Sequence, residues 1–168
     1  MPVLRTERLV LHPLSPELAR QALDGTALPA APGFPSTDDA GLLERLTVAS
    51  EPAGHVYLLE HDGALIGTVG VCSQVDADGR QEIGYGLVPH ARRRGLATEA
   101  VAALCAVLER EPGVREISAL VDTGNIRSLR LLDRLGFDEL PGACAGHRLL
   151  VLGTRRRPPV RLRGRHVC

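Results

Sequence analysis

Between Glu82 and Arg110 the sequence passes from strand to arginine-rich loop to helix, and this stretch limits the fold more than any other. Glu82-Ile83-Gly84-Tyr85-Gly86-Leu87-Val88 reads as a strand, and Pro89, which has no backbone donor, stops it. A helix then begins at Gly95-Leu96-Ala97. Thr98–Arg110 sets Val101, Leu104, Cys105 and Leu108 on one apolar face, and Pro112-Gly113 closes the segment. A helix start leaves several amide N–H groups unpaired at the positive end of the dipole, which suits it to phosphate. Gly95 and Ala97 keep side chains clear of an approaching anion, and Arg92, Arg93 and Arg94 add guanidinium groups suited to a pyrophosphate. The stretch lacks both the Gly-Lys-Ser/Thr of a P-loop and the three spaced glycines of a dinucleotide fingerprint. Taken alone, such a charge cluster is as often a solvated turn; its place between strand and helix argues for a ligand.

The flanking sequence supplies a sheet. Leu9-Val10-Leu11 reads as a first strand, and Ser15-Pro16-Glu17 as a helix start with cap, first-turn proline and favourable acid. Residues 25–37 read as a loop. A second helix is expected from Thr37 or Asp38, with Leu42, Leu43 and Leu46 at helical spacing. His55–Glu60 and Leu65–Val71 form a hairpin around His61-Asp62-Gly63. Ile117–Val121 is a buried-type strand, Asn125–Leu135 a helix with Gly136 past its end, and Arg148–Thr154 a last strand. The expected order is β-α-α-β-β-β-α-β-α-β, an α+β (α/β) fold in which a mixed, mostly antiparallel sheet ends in one β-α-β unit.

Composition excludes several classes. At 168 residues, 44% apolar and 24% charged, the chain suits one globular domain. No apolar run approaches the roughly 18 residues that span a bilayer. Charges enter at Arg5, too early for a signal peptide, so a cytoplasmic protein is expected. A net charge of +0 gives no global pull toward nucleic acid. All 20 basic residues are arginine, and six lie within Arg155–Cys168. That terminus is read as a solvated tail, the alternatives being an RNA contact or an edge strand from Val160–Arg165 at a homodimer contact. Cys72, Cys105, Cys144 and Cys168 form no C-x-x-C pair and are expected to be free thiols, Cys105 as packing. Cys144-Ala145-Gly146-His147 is at most half a metal site, so no metal is expected.

Arg92-Arg93-Arg94-Gly95-Leu96-Ala97 resembles the Arg/Gln-x-x-Gly-x-Gly/Ala signature of the GNAT (GCN5-related) N-acetyltransferase superfamily. Three further stretches are similar to its ribosomal-protein N-terminal acetyltransferase (RimJ/RimL-like) branch: Leu4–Leu11, Glu82–Ala100, and Asn125-Ile126-Arg127-Ser128 through Leu135-Gly136-Phe137. The resemblance covers most of residues 3–154. It implies a GNAT fold over 1–154, an arginine-rich tail over 155–168, and acetyl-CoA as co-substrate. By it, the backbone of Leu87 and Val88 pairs with the pantetheine arm, amides from Arg93 through Thr98, Leu96 and Ala97 among them, hold the pyrophosphate, and Asn125 contacts the arm.

The resemblance also makes Glu82 a general base. An amine titrating near 8 to 10.4 must lose a proton to attack a thioester, and a positioned carboxylate contributes roughly 10² to 10⁴ in rate. Alternation puts Glu82 on the face of Gly84 and Gly86, where missing side chains leave room for a substrate. Six residues, about 20 Å at full extension, separate it from Val88, which favours a relay through water. The competing reading is a strand carboxylate paired with Arg80. The family often has a tyrosine acid where this chain has Leu132; Ser128 or Tyr85 could replace it, and a thiolate with pKa near 8.5 can leave without an acid. The expected function is direct acetyl transfer in a ternary complex to a primary amine, either a protein N-terminus or a small molecule. The alternative is a non-catalytic acyl-CoA-binding or sensor module.

Overall fold

The computed structural model describes residues 1–26, 28–47, 54–143 and 145–154. Its elements are β1 (Leu4–Arg5), β2 (Val10–Pro13), α1 (Pro16–Leu23), α2 (Thr37–Thr47), β3 (Val56–His61), β4 (Ala64–Val71), β5 (Arg80–Leu87), α3 (Leu96–Leu108), β6 (Glu116–Asp122), α4 (Ile126–Arg134), β7 (Asp138–Leu140) and β8 (His147–Gly153). The strands are hydrogen-bonded in the order β1-β2-β3-β4-β5-β6-β8-β7. The β5–β6 pair is parallel, and β1–β2, β2–β3, β3–β4, β6–β8 and β7–β8 are antiparallel. This is the expected mixed sheet with four helices. Two of its strands escape the sequence reading, because β1 and β7, at two and three residues, are too short to show a period of two. Helix α3 starts at Leu96 and stops at Leu108, two residues before the expected end at Arg110.

The chain divides into two compact units, one of Met1–Val71 with Gly84–Leu104, the other of Cys72–Ile83 with the chain from Cys105 onward. In the first, Ser15 caps α1 by accepting from the Leu18 amide, with Pro16 opening the helix as its sequence dictates. The β3–β4 hairpin turns on Asp62 (φ +52°) and Gly63 (φ +77°), a two-residue turn whose twist matches the strands. Val56 through Leu59 are all buried, the pattern of a strand covered on both faces. Leu11, Leu43, Leu58 and Leu59 are fully enclosed, each contributing about 1.5–3 kcal/mol relative to exposure.

In the second unit, β5 and β6 pair at Arg80↔Glu116, Gln81↔Ile117 and Glu82↔Ser118, and their register ends there. Strand β6 continues to Asp122 against β8. Ile117, Leu131, Leu132, Phe137 and Leu149 form the core, and Gly136 (φ +82°) follows α4 as expected. Cys105 is buried beside this core, and burial pushes its thiol up to about 12, which suits packing and not nucleophilic chemistry. Cys144 and the Arg155–Cys168 tail lie outside the described residues.

Candidate active site

The arginine loop is an exposed span between two apolar anchors. Leu87 and Val88 are buried where β5 ends, and Pro89–Ala91 form one 3₁₀ turn with Ala91 buried. Arg92, Arg93, Arg94 and Gly95 are exposed, and Leu96 returns the chain to the core at the first position of α3. Arg93 lies at φ +63°, a left-handed conformation costing a non-glycine residue about 1 kcal/mol, and Gly95 lies at φ +80°. The Gly95 carbonyl accepts from the Glu99 amide, so Gly95 is the helix N-cap. It has no side chain with which to accept, and the next amides, Leu96, Ala97 and Thr98, open the helix with no oxygen from the cap residue on them.

Two predicted contacts are refined by this geometry. The Val88 N–H donates to the Ile66 carbonyl at 2.9 Å and is committed to the sheet. Alternation aims the Leu87 N–H at the other edge of β5, which makes Leu87 the residue of the pair able to offer a donor. Arg92 Nε donates to the Leu87 carbonyl at 2.7 Å, so this arginine folds back to brace the strand end, while Arg93 and Arg94 are exposed. Tyr85 follows Ile83 and precedes Leu87 in the alternation, on the face opposite Glu82, Gly84 and Gly86.

One cluster gave no signal in the sequence. Glu99, in the first turn of α3, accepts from Thr6 Oγ1 at 2.5 Å, from the Arg8 backbone amide at 2.8 Å and from Arg8 Nε at 2.8 Å. Arg8 Nη2 lies 2.7 Å from the same carboxylate, and Arg8 Nη1 donates to the Arg94 carbonyl at 2.7 Å. Burial by itself would raise the Glu99 pKa; the hydrogen bonds from Thr6 and Arg8 and the guanidinium charge outweigh it and hold the carboxyl below its ordinary value. Ninety-odd residues separate these partners, beyond the reach of any local pattern. A second missed feature had a signal. Ser36-Thr37-Asp38-Asp39 is a capping box: Ser36 Oγ accepts from the Asp39 amide at 3.3 Å, and Asp39 Oδ2 accepts from the Ser36 amide at 3.2 Å. Asp39 Oδ1 also accepts from Thr68 Oγ1 at 2.7 Å.

The remaining predicted residues belong to the second unit. Glu82 is half-buried, its carbonyl accepting from the Cys72 amide. Arg80, the partner considered for it, instead donates to Glu116 from Nε at 3.3 Å and Nη2 at 3.2 Å. Asn125 caps α4, its Oδ1 accepting from the Ser128 amide at 3.2 Å. Leu132 is fully buried, so the position where the family often carries an acid is core here. Among the described residues no group of three or more His, Cys, Asp or Glu is placed to hold a metal ion, and no helix is long and apolar enough to cross a membrane.

Comparison with known proteins decides the family. The acetyltransferase (GNAT) domain model matches residues 8–138. The chain belongs to the GNAT acetyltransferase family. GNAT enzymes use acetyl-CoA, and the Arg92–Thr98 loop with its uncapped helix start fits that donor. A GnaT-family acetyltransferase from Bordetella pertussis is 32% identical with TM-score 0.65, covering 90% of this chain and 99% of that one. The ribosomal-protein-S5-alanine acetyltransferase of Vibrio fischeri has TM-score 0.68 at 17% identity, over 95% of this chain and 100% of that one; at this identity it shares the fold. The Bacillus subtilis protein named uncharacterized N-acetyltransferase YoaA is 36% identical over 75 residues, covering 45% of this chain and 42% of that protein. The aligned stretch therefore spans less than half of that relative.

Proposed function

We propose that this chain transfers acetyl directly from acetyl-CoA to a primary amine, with residues 1–154 as the catalytic domain and 155–168 as a tail outside it. The observation that carries the reading is the glycine N-cap of α3, at φ +80° directly after three arginines, which leaves amides open where guanidinium charge gathers. Amides from Arg93 through Thr98, with Arg93 and Arg94, hold the diphosphate. The Leu87 N–H supports the thioester carbonyl as charge grows on it. Acetyl-CoA supplies an activated acyl carbon and a thiolate leaving group with pKa near 8.5. As the amine nitrogen bonds to the acyl carbon and the C–S bond breaks, Glu82 takes the amine proton through water. Asn125 caps the start of α4, and Ser128, with Tyr85 as the alternative, returns a proton to sulfur.

The acceptor is a protein N-terminus or a small amine. The fold shared with an S5-alanine acetyltransferase supports the first, and nothing in the loop opposes the second. A non-catalytic acyl-CoA-binding module is the second reading, and full burial of Leu132 favours it. Coenzyme A release measured against an amine panel tests the proposal. Glu82→Gln is expected to lower kcat by about 10²-fold with KM for acetyl-CoA little changed. Unchanged turnover would remove Glu82 from the mechanism, and tight binding without turnover of any amine would establish the binding module.

A further inference from the structure

We propose that Arg8, outside the signature loop, is a further phosphate-binding residue of the cofactor site, held in place by Glu99 and Thr6. The inference rests on the coenzyme A reading above and adds a residue to it.

Arg8 is fixed at every level. Thr6 N–H donates to the Leu9 carbonyl at 3.0 Å and the Leu9 amide donates to Thr6 Oγ1 at 3.1 Å, closing the β1–β2 connection into a tight turn that presents Arg8. The Arg8 amide donates to Glu99, and His61 Nδ1 lies 3.0 Å from the Arg8 carbonyl. The guanidinium has five N–H donors. Nε donates to Glu99 Oε2, Nη2 lies 2.7 Å from the same oxygen, and one Nη1 hydrogen engages the Arg94 carbonyl. One N–H remains on each terminal nitrogen, on a side chain that is 41% exposed.

Those two donors lie beside Gly95, the residue that precedes the open amides. A Cβ placed on Gly95 would come within 3.2 Å of Arg8 Nη2, a tight contact that glycine at the N-cap avoids. The Arg94 carbonyl is drawn toward Arg8, which keeps a partial negative charge in the middle of the loop occupied by a cation. Glu99 would otherwise present its charge in the first turn of the anion-binding helix; its oxygens are turned to Thr6 and Arg8. A planar fork with its rotamer locked by a carboxylate and two N–H groups left over is suited to phosphate oxygens.

Calorimetry with coenzyme A on the full chain tests this with Arg8→Gln, Arg8→Lys and the double variant Arg8→Gln/Glu99→Gln. One charge-assisted contact at this exposure predicts about tenfold weaker binding for Arg8→Gln. Arg8→Lys keeps the charge but loses the planar fork and should recover only part of that loss, and the double variant should bind as weakly as Arg8→Gln. Three results would overturn the inference: wild-type affinity in Arg8→Gln, a lysine variant no better than the glutamine one, or recovery in the double variant. The last would reduce Arg8 to neutralising Glu99. Should Arg8→Gln fail to fold, phenylglyoxal labelling of the wild type decides: coenzyme A protects Arg8 if the inference holds, and unaltered labelling overturns it. Wild type that binds no coenzyme A at all would overturn the cofactor reading itself, and with it this addition.

Discussion

Among the described residues three α-helices satisfy their own first turns, and one does not. Ser15 closes α1, Ser36 with Asp39 closes α2, and Asn125 closes α4, each by a side-chain oxygen accepting an amide within three residues. Helix α3 begins on Gly95, which has no oxygen to offer, and its first-turn acid turns sideways to Arg8 and Thr6. A side-chain cap in place of glycine contributes only about a few tenths of a kcal/mol, so α3 gives up little stability by omitting one. What α3 gains is a set of open amides beside three arginines. The contrast teaches that an open helix start is marked by what is missing from its first turn as much as by the charges around it.

The comparison can be broken most severely by giving α3 a cap. Gly95→Asp puts a carboxylate on the open amides, forces an L side chain to φ +80° and drives it against Arg8. Affinity for coenzyme A, read by calorimetry, should fall by more than about 100-fold, while a conservative loss such as Arg93→Ala should cost about tenfold. Removing the sideways acid sharpens the contrast. Glu99→Gln should lower stability by about 1–2 kcal/mol near neutrality, discounted for the exposure of Arg8. Because the folded Glu99 pKa is lowered from 4.5, its contribution is full above that pH and is lost as pH falls through the lower folded value. Denaturant unfolding should show the gap between wild type and Glu99→Gln constant above about pH 5 and closing below 4.5; a gap that widens in acid would refute the assignment. The smallest effect is at α4. Asn125→Ala should cost about 1 kcal/mol in the same assay, and Asn125→Asp should recover it, because either side chain can accept from the Ser128 amide.

Local signals carried most of the elements. Ser15-Pro16 fixed where α1 starts, Asp62-Gly63 fixed the hairpin turn, and Pro89 fixed where β5 stops, because each acts through its own backbone or its near neighbours. Strands β1 and β7 were illegible because two or three residues carry no period. At the site, Gly95 and the flanking arginines were legible as a motif. The division of labour within the motif was not: Arg92 braces the Leu87 carbonyl, and the Val88 amide belongs to the sheet. Those outcomes depend on side-chain direction and strand register, which spacing leaves open.

The sequence by itself determined the family, the mixed sheet and the position of the arginine loop, since periodicity, proline and glycine act within a few residues. Only the tertiary structure decided that Glu99 meets Thr6 and Arg8, that Leu132 fills the core, and that Leu87 alone of its pair can present an N–H outward. Contacts between distant segments follow from how strands pair and helices pack, and no local stretch of residues encodes them.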